Sequence, residues 1–219
     1  VILQKREFFY TRYGTNIRRN AVACLVQLSK SNAKAKSNPR VWIVNTHFGS
    51  NSGEEQYRQS LELVGFIQTL RGDNDNDNGG IRTATTTTSV TTVTGVILCG
   101  DLNSLPHFRS IQTLESIGLR DVWKVCGVGY GCTFPAPKGL VPWLRLPPVM
   151  RLDCIFYQCW EEDDTGNDNA AAAALQPKHI HVVTNGTDRS LKDIDLCSSD
   201  HLALCATFAI GMERENRIT

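Results

Sequence analysis

His47, Asp101, Asn103, Asp153, Asp200 and His201 are the side chains of this sequence best suited to chemistry, because each stands at one end of a short apolar run. The focal stretch is Gly95-Val96-Ile97-Leu98-Cys99-Gly100-Asp101-Leu102-Asn103-Ser104. It reads as a buried strand that delivers polar side chains to a sheet edge, where α/β proteins hold their chemistry. Asp101 and Asn103 alternate with Leu102, so continued strand pairing predicts both on one face with Leu102 returned to the core. The competing reading of Gly-Asp and Asn-Ser is a turn. The same design recurs where Asn45-Thr46-His47 closes an apolar run, where Asp153 opens Cys154-Ile155-Phe156-Tyr157, and where Asp200-His201 precedes Leu202-Ala203-Leu204. A buried polar group is costly unless it is paired, and isolated ones would each need a separate hydrogen-bond network. One shared site is the economical explanation. Its carboxylates can take a proton or hold a divalent cation, its amide can orient an oxygen, and its imidazoles can donate to an oxyanion. No Ser or Cys is placed as an obvious nucleophile, which makes water the attacker.

The elements that must position these groups follow from pattern. Residues 20–28 alternate into an apolar strand, 31–39 form a polar hairpin-type loop, and 41–47 are apolar and β-branched. Residues 54–70 carry Leu61, Val64, Ile67 and Leu70 at helical spacing, with Arg58, Gln59 and Glu62 elsewhere on the wheel. Residues 110–117 predict a second helix with Ile111, Leu114 and Ile117 on one side and Gly118 just past its end. Residues 119–125 carry the chain back to a Gly- and Pro-rich stretch, 127–148, in which Trp143 reads as a loop residue folded onto its own domain. A strand over 151–157 and a short strand over 179–183 follow; His181 reads as a surface or packed residue rather than a ligand. Two low-complexity insertions interrupt this order: about 72–94, without the apolar area needed to offset ordering entropy, and about 161–176, acidic and then poly-Ala. The alternating Asp73 to Asp77 run lacks the glycine and closing glutamate of a calcium loop at their required offsets.

The chain of 219 residues, 41% hydrophobic, fits a single domain with a sizeable core. Its formal charge of +1 supplies no bulk attraction for nucleic acid and leaves only a local basic groove for that purpose. There is no apolar run of roughly 18 residues to span a membrane and no charged-then-apolar leader. Of the eight cysteines, several sit inside apolar runs and none forms a Cys-x-x-Cys pair, which argues for reduced thiols in an intracellular, cytoplasmic or nuclear compartment and against a zinc site.

Asn45-Thr46-His47, Gly100-Asp101-Leu102-Asn103-Ser104, Arg151-Leu152-Asp153 and Ser199-Asp200-His201, in that order, resemble the motifs of the endonuclease/exonuclease/phosphatase (DNase I-like) superfamily. The resemblance runs from near Val1 to about Phe208. It implies an α/β fold, a four-layer sandwich of two mixed sheets flanked by helices, and hydrolysis of a phosphate ester of nucleic-acid or phospholipid type assisted by Mg²⁺, with Mn²⁺ as a substitute. Asp101 would orient or deprotonate the attacking water, Asn103 would hold that water or the scissile phosphate, and Asp200 would ligate the metal. His201 would donate to a phosphate oxygen in the tautomer set by Asp153, and His47 would contact the phosphate from the opposite side. The inositol-phosphatase motif Trp-Cys-Asp-Arg is absent, which disfavours that branch. The family also opens with a metal-binding Glu in a Leu-Gln-Glu motif, whereas Leu3-Gln4 is followed here by Lys5. The first residues resemble a later strand, so the chain reads as lacking an N-terminal third and is expected to be inactive alone. The alternative is a family member without catalysis, acting as a binding module.

Overall fold

The computed structural model describes residues 1–12, 18–28, 38–72, 93–134, 149–160, 174–183 and 201–211. Strands β1 (Ile2–Phe9), β2 (Asn20–Gln27), β3 (Arg40–His47), β4 (Val93–Asp101), β5 (Arg120–Asp121) and β6 (Asp153–Cys159) form one sheet in the order β1-β2-β3-β4-β6-β5. Among the described residues only β3 and β4 run parallel; every other pair of this sheet is antiparallel. A parallel pair needs a long crossover, and α1 (Gly53–Gly72) lies within it. A second sheet pairs β7 (Ala174–Val183) with β8 (Ala203–Gly211).

Alternation along the central strands divides the core in two. Trp42 and Val44 of β3, Val96 and Leu98 of β4 and Phe156 of β6 face Leu63, Ile67 and Leu70 of α1 and Ile111 and Leu114 of α2 (Arg109–Ser116). Their neighbours Val41, Ile43, Ile97, Ile155 and Tyr157 face the other way, onto Leu175, Ile180, Leu204 and Phe208 of the second sheet. Helices, mixed sheet and small sheet therefore stack as three layers among the described residues, an α/β sandwich. Burying aliphatic and aromatic side chains on both faces of the central sheet contributes on the order of 1.5–3 kcal/mol each. The short helix α3 (Val122–Cys126) is capped by Asp121, whose carboxylate accepts from Trp123 N.

Several details differ from the expectations of pattern. Leu61 is 47% exposed, and the buried stripe of α1 instead includes Glu55, Gln56, Gln59 and Ser60 ahead of Leu63, Phe66, Ile67 and Leu70. These polar residues can be buried because backbone and side chains of neighbouring loops satisfy them. Residues 119–125 are not one returning segment but a two-residue strand followed by α3. Strand β7 begins at Ala174 rather than His179, so the poly-Ala tract ends inside an element, and β4 begins at Val93, inside the first low-complexity region. Trp143, most of both insertions, the loop 31–37 and the Asp73 to Asp77 run lie outside the described residues. No helix among the described residues is long and apolar enough to cross a membrane. The described cysteines are all unpaired thiols; burial pushes Cys154 up to about 12.

Candidate active site

The central sheet places three of the singled-out side chains in one row. In the parallel register His47 of β3 stands opposite Asp101 of β4, and in the antiparallel register Asp101 stands opposite Asp153 of β6. All three share the parity of Ile43, Ile97 and Ile155, so they lie on the sheet face turned toward β7 and β8. His201, two residues before β8, closes the row from the second sheet. Its Nδ1 is 2.7 Å from Asp153 Oδ2 and its Nε2 is 3.7 Å from Asp101 Oδ2, while His47 Nε2 is 3.3 Å from the same Asp101 oxygen. Two imidazoles thus flank one carboxylate at the seam between the sheets.

Asn103 reaches the site by a different route from the one alternation suggests. Strand β4 ends at Asp101, Leu102 enters the core at 1% exposure, and Asn103 takes φ +47°. A left-handed residue is tolerated here because Asn103 N donates to Asp101 Oδ1 at 2.8 Å, an Asx-type turn. Asn103 Nδ2 donates to the Phe48 carbonyl at 2.9 Å, tying the loop after β4 to the loop after β3. Gly100 sits at φ +142°, and a Cβ there would collide with the Thr46 carbonyl, so only glycine lets β3 approach β4 beside Asp101.

Buried side chains between the strand ends, hard to foresee from the sequence, fix these loops. Gln56 Nε2 donates to the Gly49 carbonyl at 3.2 Å while its Oε1 accepts from Ser104 Oγ at 3.3 Å, so one buried side chain bridges the loops that follow His47 and Asn103. Gly49 N donates to Gln59 Oε1 at 2.7 Å. At the end of β3, Thr46 Oγ1 donates to the Asn20 carbonyl and accepts from Tyr10 Oη at 2.7 Å, and burial pushes the Tyr10 phenol well above its ordinary range. Thr133 joins the remaining pair: its Oγ1 accepts from Asp153 N and its carbonyl from Leu202 N, and the next ring, Phe134, lies 4.8 Å from the His201 imidazole. Arg151, two residues before Asp153, makes a bidentate ion pair with Asp121 at 2.9 and 2.7 Å. Thr46, Ser104 and Arg151 lie inside the quoted motifs, but the signal for their contacts is tertiary.

Electrostatics mark Asp101 as the strained member. Burial raises its carboxyl above the ordinary 3.8; the Asn103 N–H and both imidazoles pull it down, and the Asp153 charge pushes it up. Burial lowers His47, with Arg19 and His201 adding to that and the two acids opposing it. With a raised folded-state pKa, the folded protein holds more protons than the unfolded chain between the ordinary value and the raised one, so Asp101 makes stability fall as pH rises through that window. In metal-free protein, the Asp101 carboxyl followed by ¹³C NMR is expected to titrate above the ordinary aspartate range and to move down in Asp153→Asn, which removes one upward influence. An Asp101 titration indifferent to Asp153→Asn would contradict the shared site.

Asp101, Asp153 and His201 each offer a ligand atom within 4.8 Å of the others. The donor chemistry suits a hard divalent cation: two carboxylates share a partly buried hollow, and the pKa of Asp101 is raised by burial and further by the charge of Asp153, which a cation between them would relieve. Asp200 adjoins His201 in the chain and lies outside the described residues.

The mixed sheet, the small second sheet and the His-Asp-Asp row along their seam define a DNase I-like sandwich, and the comparison with solved structures agrees: the chain has the fold of the endonuclease/exonuclease/phosphatase proteins. One neighbour is the endonuclease/exonuclease/phosphatase from Bacteroides vulgatus, with TM-score 0.61 and 15% identity over 96% of this chain and 66% of that one. A mannosyl-6-phosphatase of Bacteroides thetaiotaomicron matches with TM-score 0.58 and 15% identity over 95% of this chain and 67% of its own. D. rerio TDP2 complexed with a single-strand DNA product matches with TM-score 0.54 and 18% identity over 95% and 68%. The chain spans about two thirds of the length of these structures. No protein-family model and no curated protein matches the sequence.

Proposed function

We propose that the protein is a divalent-cation-dependent phosphodiesterase of the nuclease-like kind, in which water attacks phosphorus. The observation that supports this reading most is the single row His47, Asp101, Asp153 closed by His201: one carboxylate flanked by two imidazoles, with a second carboxylate behind. Asp101, flanked by the two imidazoles, orients the attacking water and takes its proton. Asn103 Nδ2 donates to the Phe48 carbonyl at 2.9 Å and to Asp101 Oδ2 at 3.4 Å, which leaves its Oδ1 to accept from the attacking water. Asp153 accepts from His201 Nδ1, which leaves Nε2 on the side of the hollow where Asp101 lies, and in the imidazolium form Nε2 donates to a phosphate oxygen. His47 contacts the phosphate from the opposite flank. Charge gathers on the phosphoryl oxygens in the transition state, so fixed donors lower the barrier more than they stabilise bound substrate. Asp101 and Asp153, with Asp200 beside His201, would hold Mg²⁺, which supplies charge neutralisation and polarises the phosphoryl group. Among neighbours, TDP2 is complexed with single-strand DNA product, which favours nucleic acid as the substrate class.

The test is a panel of bis-p-nitrophenyl phosphate, abasic DNA, poly(A), sphingomyelin and mannose 6-phosphate, assayed on the full translated protein with Mg²⁺ and with chelator. Hydrolysis of the diesters that disappears on chelation and returns with Mg²⁺ is expected. Hydrolysis surviving chelation, or confined to the monoester, overturns the reading.

A further inference from the structure

The geometry points to a second metal site, for a borderline transition cation of the Zn²⁺ kind, on the outer face of the small sheet: His179 and His181 of β7 with Cys205 of β8. Strand alternation, shifted in β7 by an irregularity between Pro177 and His179, turns Leu175, Ile180, Leu204 and Phe208 inward against the central sheet, leaving His179, His181, Cys205 and Thr207 on the exposed face. The two imidazoles lie on one side of the strand, with their Nδ1 atoms 3.2 Å apart and ring centroids 5.0 Å apart. Two nitrogens bound at about 2.0–2.1 Å in a tetrahedral shell are separated by about 3.3 Å, so the pair is already set at the edge of such a shell. In the antiparallel register Cys205 stands directly opposite His181, and antiparallel partners project to the same face.

Nitrogen and thiolate sulfur select borderline and soft cations over Mg²⁺, which separates this site in chemistry from the oxygen-rich hollow at Asp101. Among the described residues, the Asp101, Asp153 and His201 group is the one whose three ligand atoms already lie within 4.8 Å of each other. Here the imidazoles already lie together, and the exposed Cys205 thiol, opposite His181 on the same face, supplies the third ligand, with water in the fourth position. The lack of a Cys-x-x-Cys pair does not bear on this arrangement, because the ligands come from a His-x-His on one strand and a thiol across the ladder. Bound metal would clip β7 to β8, the strand that follows His201.

The test is a Co²⁺ titration of the full protein under reducing conditions, followed in the near ultraviolet for thiolate-to-cobalt charge transfer, with far-ultraviolet circular dichroism confirming that each variant is folded. A one-equivalent band is expected, bleached by Zn²⁺ but not by excess Mg²⁺, lost in Cys205→Ser, and requiring at least tenfold more Co²⁺ in His179→Gln or His181→Gln. Asp101→Asn leaves it unchanged. Absence of the band in the wild type, its persistence in Cys205→Ser, or its loss in Asp101→Asn overturns the proposal.

Discussion

Asp101→Asn is expected to lower turnover of bis-p-nitrophenyl phosphate by the full protein about 10³–10⁴-fold, the scale set by loss of a positioned base together with a cation-facing charge. The substitution is nearly isosteric. An asparagine Oδ1 can still accept from Asn103 N, so the Asx-type turn and the contact to the Phe48 carbonyl persist. What disappears is the charge facing His47 and His201. Burial and the Asp153 charge both penalise the native carboxylate, so the variant should be at least as resistant to urea as the wild type. Lost turnover with retained stability is the signature of a residue kept for chemistry. A variant within tenfold of wild-type kcat, or one that unfolds, would remove Asp101 from the catalytic role.

The second large effect concerns stability. Arg151 is 6% exposed and Asp121 2%, and their bidentate contact is among the most buried ion pairs of the described residues. Asp121 also caps α3. Arg151→Leu leaves that carboxylate buried without its cation, which costs about 3–5 kcal/mol. Urea denaturation should show this as a lower midpoint with an unchanged slope. Adding Asp121→Asn, which removes the stranded charge yet preserves the cap acceptor, should restore a substantial part of the loss. If the double variant is as unstable as the sum of the two single ones, the pair is not coupled. Because Arg151 precedes Asp153 by two residues, the ion pair also anchors the start of β6 where the site forms.

Much of the candidate site was legible because its residues lie at strand ends, where an apolar run followed by a polar residue is a one-dimensional signal for a three-dimensional place. Period-two alternation put His47, Asp101 and Asp153 on the same face as soon as β3, β4 and β6 proved adjacent, and that adjacency is not written in any local pattern. Asn103 shows the limit. Its type was informative, but its position depends on a left-handed backbone and on a carbonyl from another loop. Leu61 shows another: helical spacing cannot tell which of two overlapping stripes is buried, and loop hydrogen bonds made polar Gln56 and Gln59 the inward ones. Arg151 was visible within a motif, whereas its partner Asp121 lies thirty positions away and only the tertiary structure brings them together.

The most direct measurement is paramagnetic broadening of imidazole proton resonances when Mn²⁺, a hard stand-in for Mg²⁺, is added to the isotope-labelled chain. It needs no substrate and no turnover. A cation held between Asp101 and Asp153 predicts that the His47 and His201 signals broaden at substoichiometric Mn²⁺, and that Asp101→Asn combined with Asp153→Asn abolishes the effect. Signals of His47 and His201 that stay sharp, or that broaden equally in the double variant, would contradict a metal-assisted site at this seam.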